Sequence, residues 1–122
     1  MQDNIYQGKQ RIVQEFVPGK QVTMAHIIAN PDDILYKKLG LDPAVEYSKT
    51  AIGIVTMSPA ETAIIAGDIA IKTSGAELGF VDRFSGSLII TGTVSEVEAS
   101  VNAILDYVRE RLGFAICPIT RT

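Results

Sequence analysis

The side chains able to do chemistry in this sequence are few and widely spaced. His26 is the single histidine and Cys117 the single cysteine. A histidine can serve as a general base or metal ligand near neutral pH, and a thiolate can serve as a nucleophile. Each needs partners. No cysteine or second histidine stands at ligand spacing from His26, which falls on the apolar face of an alternating segment. It therefore reads as a packed or hydrogen-bonded core histidine. Cys117 precedes Pro118 inside the apolar stretch 114–120, with no neighbouring base, and reads as a buried, inert thiol. One cysteine also rules out internal disulfides and multi-cysteine metal sites. Asp68 stands four residues before Lys72, the favourable order for a helical ion pair, which is a simpler assignment than a buried acid. The densest polar group at an element end is Asp82-Arg83, ahead of Phe84-Ser85-Gly86. Turn chemistry accounts for Ser85 and Gly86. It does not account for Phe84 between Arg83 and Ser85. There is no G-x-G-x-x-G, Walker loop or metal motif. No catalytic constellation emerges, so the expectation is a protein that is not an enzyme and holds no cofactor or metal.

The elements that carry these residues are more informative. Residues 58–75, "SPAETAIIAGDIAIKTSG", have the end signals of a helix. Ser58 suits the N-cap, Pro59 the first helical position and Glu61 an S-x-x-E capping box. Gly75 can close the helix in the left-handed conformation. Ala60, Ala63, Gly67 and Ala70 form a small-residue stripe. Ile64 and Ile71 flank it on one side, Ile65 and Ile69 on the other. Mid-helix, only Asp68 and Lys72 are offered to water. A surface helix covers a core with one stripe and solvates the rest; this one has two faces to bury. The small stripe suits close packing on a sheet, and the isoleucines need a second partner: a third layer of the domain or a neighbouring subunit.

Composition favours the subunit. A chain of 122 residues makes one domain, and a monomer of that size hides only about two-thirds of its unfolded surface. Yet 47% of its residues are hydrophobic and the mean hydropathy is +0.22. Surplus apolar residues on a small chain imply association. No run approaches the roughly 18 apolar residues of a spanning helix, and the opening "MQDNIYQGKQ" lacks an apolar signal segment. The expectation is a cytoplasmic protein with no membrane partner. The net charge of −3 and scattered basic residues give no nucleic-acid footprint.

Along the chain, residues 1–10 are polar. "RIVQEFV" (11–17) has β-formers without clean alternation, and Pro18-Gly19 forces a turn. Residues 20–29 alternate as a strand with Val22, Met24, His26 and Ile28 on one face. A short helix follows: Asn30 as cap, Pro31 first, Asp32 and Asp33 at its positive end, Lys37 and Lys38 at its negative end, Gly40 as stop. Residues 41–50 read as a loop. Residues 51–57 form a buried strand ahead of the small-striped helix. Then "AELGFVDRF" and "GSLIITG" make a hairpin turning at Ser85-Gly86. A second long helix starts near Thr93–Ser95, where T-x-x-E and S-x-x-E boxes both fit. Its stripe is Val94, Val97, Val101, Ile104, Leu105, Val108 and Leu112, and Gly113 ends it. Residues 114–120 read as a strand that Pro118 confines to an edge or a strand end. From Ala51 the order strand, helix, strand, strand, helix, strand is ferredoxin-like: an α+β antiparallel sheet with two helices on one face.

"AIGIVTMSPAETAIIAGDIAIKTSGAELGF" and "GSLIITGTVSEVEASVNAIL" resemble the bacterial microcompartment shell-protein domain. Its A-x-G-hydrophobic strand corresponds to Ala51-Ile52-Gly53-Ile54, its D-x-A-x-K helix to Asp68–Lys72, and its second helix start to Gly92-Thr93-Val94. Thr93 stands where aspartate is more usual, and both cap helices. The piece "VTMAHIIANPDDILYKKLG" follows the second long helix in the common form and comes first in this chain. That order is similar to the circularly permuted single-domain branch of the ethanolamine- and propanediol-utilisation type. "VQEFVPGKQVTMAHIIANP", "GFVDRFSG" and the terminal "ITRT" also resemble that branch. Pattern alone puts residues 114–120 as the fourth core strand; the resemblance gives that place to residues 20–29.

What the resemblance implies is specific. The fold would be a permuted ferredoxin-like domain over residues 20–122, preceded by an arm and barrel strand over 1–19. Copies would form hexameric tiles that pack edge to edge into a shell around metabolic enzymes, in a compartment of the bacterial cytoplasm. Partners would be further copies of the chain and other shell proteins, with encapsulated enzymes left open. The pathway is equally open among ethanolamine, propanediol and choline utilisation. Lys72 matches a tile-edge lysine, and Asn30-Pro31 the position of an edge arginine-proline turn. Arg83, Phe84, Ser85 and Gly86 match the turn that lines the central pore. Ile12, Val13, Gln14, Glu15, Phe16 and Val17 match a strand expected to join its copies in a small β-barrel over that pore. A rival of another class is an oligomeric ferredoxin-like ligand-binding or regulatory domain, which ring size would distinguish.

Overall fold

The computed structural model describes residues 19–41 and 50–122; the expected barrel strand and most of the expected 41–50 loop lie outside them. The elements are β1 (Gln21–Ile28), α1 (Asp33–Lys38), β2 (Ala51–Ser58), α2 (Thr62–Thr73), β3 (Glu77–Asp82), β4 (Ser87–Gly92), α3 (Val94–Leu112) and β5 (Thr120–Arg121). The sheet order is β3-β4-β2-β1-β5. The first four strands pair antiparallel, and β5 runs parallel to β1 at the edge. α2 and α3 pack on one face of this α+β sheet. The main core lies between them, from Val22, Ala25, Ile27, Val55, Met57, Leu88 and Ile90 below to Ala66, Ala70, Val97, Val101, Ile104 and Val108 above. A smaller cluster on the opposite face sets Tyr36 of α1 and Leu41 against Ile52.

α3 forms where its sequence says. Thr93 accepts from the Glu96 amide at 3.1 Å, the Glu96 carboxylate accepts from the Thr93 amide at 2.9 Å, and Gly113 caps the far end at φ 74°. Val97, Val101, Ile104, Leu105 and Val108 are buried, as the stripe requires. The core sheet takes β1 beside β2, so residues 20–29 and not the C-terminal stretch supply its fourth strand.

Several local expectations yield to long-range pairing. Ser58 does not cap α2: it is the last residue of β2, opposite Gln21, and the helix begins at Thr62 behind Glu61, which makes no side-chain cap. Gly75 is not a left-handed helix end. It is close-packed instead, since a Cβ there would run into the Glu96 carboxylate. Asn30 does not cap α1; Asp32 does, accepting from the Ile34 amide at 3.1 Å, because buried Pro31 moves the helix start along. A register shift between Val22 and Met24 turns β1 over. The core face is therefore Val22, Ala25 and Ile27, and not the expected set with Met24 and His26. A one-residue slip exchanges faces in any strand. The C-terminal strand shrinks to two residues. Ahead of it only an isolated bridge joins Ala115 to Gln21.

Candidate functional site

The hairpin between β3 and β4 is held by its own side chains. The Asp82 carboxylate accepts from the Phe84 amide at 2.8 Å and from the Ser85 hydroxyl at 2.9 Å. Chiefly the Phe84 amide, then the Ser85 hydroxyl, hold this carboxyl below its ordinary value of 3.8. The Gly86 amide donates to the Asp82 carbonyl at 2.9 Å, and the Gly86 carbonyl accepts from the Met57 amide at 2.9 Å. Gly86 has φ +80°, and a Cβ there would strike the Met57 carbonyl. Only glycine meets both demands. The tip is thus tied to the end of β2 by a backbone hydrogen bond.

On this rigid tip Phe84 is 81% exposed, the most exposed large apolar side chain described. The Arg83 guanidinium lies 4.9 Å from its ring centroid, within cation–π range. Arg83, Phe84, Ser85 and Gly86 therefore sit together in one turn, with a cation and an aromatic ring facing outward.

α2 supplies the second feature. Ala63, Ala66, Gly67 and Ala70 are buried. Gly67 lets the helix approach the sheet, since a Cβ there would lie 3.3 Å from Leu78 and 3.4 Å from Val81. Within the chain, the flanking isoleucines find too little cover. Ile64, Ile65 and Ile71 are about half exposed, while Ile69 packs partly on the core. No third layer covers them among the described residues; Ile64 and Ile71 stand on one side of the exposed face and Ile65 on the other, with Asp68 and Lys72 between. Lys72 pairs with Asp68 at 2.9 Å with both side chains exposed. Such a pair contributes little to stability and leaves the lysine available at the helix end. Asn30 is exposed and Pro31 buried in the connection from β1 to α1.

The remaining candidates serve structure. His26 is half-buried on the face away from α2 and α3, not in the core. Its ring nitrogens bond the hydroxyls of Thr120 at 2.6 Å and Thr122 at 2.9 Å. It fastens β5 to β1, a role invisible in sequence because its partners lie 94 and 96 residues away. Cys117 is half-buried against the main core. Another feature missed from sequence is a hydroxyl chain between helices. Buried Ser100 donates to the Ala70 carbonyl at 2.9 Å and meets Ser74 at 3.0 Å, and Ser74 donates to the Glu96 carbonyl at 3.0 Å. Among the described residues no group of His, Cys, Asp or Glu could hold a metal ion, and no helix is long and apolar enough to cross a membrane. The surface offers a cationic aromatic tip and half-exposed isoleucines on both flanks of α2, features suited to recognition and association.

Comparison with known proteins agrees with that character. Residues 51–120 match the BMC domain. The bacterial microcompartment shell protein PduU of Salmonella typhimurium is 52% identical over 112 residues, covering 92% of this chain and 93% of that protein. The shell protein EutS of the same organism is 49% identical over 115 residues, covering 94% and 99%. Among solved structures, a CutR flat hexamer superposes with a TM-score of 0.78 at 46% identity, covering 93% of this chain and 99% of that one. The matched residues begin at β2, and β1, which precedes them in the chain, lies beside β2 in the same sheet. With the BMC domain matched over more than half of the chain and relatives of this identity aligned almost end to end, the chain belongs to the bacterial microcompartment shell-protein family.

Proposed function

We propose that this chain is a structural tile: six copies form a ring, and rings pack edge to edge with one another and with other shell proteins to enclose metabolic enzymes within the bacterial cytoplasm. It assembles and does not catalyse. The observation that carries this reading is the likeness, over nearly the whole chain, to a relative that forms a flat hexamer. The half-exposed Ile64, Ile65 and Ile71, on the two flanks of α2, offer apolar surface that a subunit contact could cover. In this reading residues 20–122 are the tile in permuted order, with β1 and α1 ahead of the strand where the matched domain begins. Residues 1–19 are a separate arm whose Ile12–Val17 stretch pairs with its copies above the pore. Lone strands leave open edges, and a closed barrel removes them. The hairpin tips, Arg83 to Gly86, face the pore.

Native mass spectrometry tests the ring directly. The full chain should run at about the mass of a hexamer, and a chain lacking residues 1–17 should keep that size, because both core clusters among the described residues are built from elements that follow Gly19. A dimer or tetramer from the full chain would point instead to a regulatory domain. Monomers from the shortened chain would make the arm part of the assembly core.

The tile edge is tested separately. Lys72 and Asn30-Pro31 are the proposed edge residues. The Lys72 stem can lie along a neighbouring tile while its ammonium reaches acceptors there. Lys72→Asp turns the exposed pair with Asp68 into two like charges. It should leave ring mass unchanged and abolish extended sheets in negative-stain electron microscopy. Sheets from this variant would remove Lys72 from the edge.

A further inference from the structure

We propose that residues 120–122 form a releasable strap guarding the outer edge of β1, and that its release opens this edge to pairing with the same edge of a second copy. The tile reading gives these residues no role.

The strap joins two elements. The Thr122 amide donates to the Ile27 carbonyl, and the Ala29 amide donates to the Thr122 carbonyl, each at 2.9 Å. On one face the His26 ring holds the Thr120 and Thr122 hydroxyls. On the other face Arg121 reaches α3, where its guanidinium lies 2.6 Å from the Glu98 carboxylate. What these contacts lack is apolar burial. Thr120, Arg121 and Thr122 are all exposed. The apolar anchors stop at Ile119, which packs partly on the main core together with Ile116 and Cys117. Beyond that point the chain is fastened by polar contacts alone.

Such a fastening is close to balanced. Each hydrogen bond replaces one to water and gains little net. The exposed ion pair adds little more. Ordering the backbone of each residue costs entropy of comparable size. The strap can therefore open while the core behind Ile119 stays folded.

Release has a defined consequence. Beyond β1 on that side of the sheet lie, among the described residues, only β5 and the isolated bridge from Ala115 to Gln21. Without the strap the Ile27 carbonyl and the Ala29 amide lose their partners, and a strand of eight residues presents an open edge. An open edge is a template for another strand. A second copy carries the same edge, and two β1 strands running antiparallel about a twofold axis satisfy each other. The closed strap keeps copies apart at this edge.

Hydrogen exchange of the full chain, read by mass spectrometry, tests the release, and native mass spectrometry tests its consequence. The Ala29 amide should exchange at least about tenfold faster than the amides of β2. In a chain ending at Ile119, and in His26→Ala, it should exchange about tenfold faster again, and species of twice the parent's mass should appear. Met24→Lys sets like charges beside the paired edges. Added to the shortened chain, it should remove the doubled species and leave the parent's mass. An Ala29 amide as slow as those of β2 in the full chain overturns the proposal, because the strap then does not open. A folded, shortened chain of the parent's mass also overturns it, as does a doubled species that Met24→Lys leaves intact. If the shortened chain does not fold, His26→Ala decides: the parent's exchange and mass in that variant overturn the strap. Every reading is taken against the parent's own mass, so a failure here leaves the ring size, and with it the tile reading, untouched.

Discussion

Replacing Gly53 by valine should shift the chemical denaturation midpoint far toward lower denaturant, with most of the protein lost from the soluble fraction. Gly53 lies in β2, between β4 and β1 in the sheet. It faces α3. A Cβ at this position would stand 2.7 Å from Val97 and 2.9 Å from Ile90, both fully buried side chains. The backbone here needs no left-handed conformation; the demand is for space alone. α3 crosses the sheet at this point because no side chain intervenes, and Val97 fills the gap. Real Cβ contacts essentially never fall below 3.0 Å, so either the helix lifts or the strand bends. Overpacking of this kind costs about 1–3 kcal/mol for small insertions, and valine adds two methyl groups beyond the alanine Cβ. Against a total stability of about 5–15 kcal/mol, that is a large fraction. Gly53→Ala should be milder, and Val97→Ala should recover part of its loss, since the two positions share one contact. Urea unfolding of the two single variants and the double variant reads all of this. A Gly53→Val protein with the parent's midpoint would show that α3 yields at no cost.

The second large effect falls on assembly instead of folding. Ile65→Glu should leave the chain folded and abolish the ring. Ile65 is 44% exposed within the chain, so a charge there can reach water in the monomer and should change stability by about 0.5 kcal/mol or less. In the proposed ring the same position would be covered by a neighbour. An unpaired carboxylate then loses its hydration, at a cost of several kcal/mol per contact, and the cost recurs around the ring. Ile69 is a poorer probe because it also packs on the core, so Ile69→Glu would mix the two effects. Size-exclusion chromatography with circular dichroism separates them: a native spectrum at monomer volume is expected. Rings of unchanged size would show that this flank of α2 is solvated and that other contacts hold the tile.

The two effects come from opposite sides of the same packing problem. α2 is narrow on its inner face, where Gly67 and the buried alanines let it sit close on β3 and β4. It is broad on its outer face, where the isoleucines stand clear. α3 has a single apolar stripe and is satisfied within the chain. Of the two long helices, α2 therefore carries most of the exposed aliphatic area.

Sequence by itself determined whatever is written within one turn of helix or one hairpin. The Thr93–Glu96 box, the stripe of α3, the Gly113 stop, the Asp68–Lys72 pair and the turn at Ser85-Gly86 all join residues at most a few positions apart, or repeat with the helical period. Their energetics are local, so their spelling is local too. The unusual α2, polar almost nowhere, was also legible, and with it the need for a partner outside the helix. Tertiary structure alone decided the points where a distant strand outbid a local signal. Ser58 could cap a helix, but its backbone pairs with Gln21 across the sheet. Gly75 could end a helix, but its lack of a side chain makes room for the Glu96 carboxylate. The alternation of β1 pointed Met24 and His26 inward, but one irregular step after Val22 reversed the faces. His26 then gained a role through Thr120 and Thr122 that no nearby residue announces. A ladder of backbone bonds commits a whole strand at once, and it outweighs any single cap worth about 1 kcal/mol.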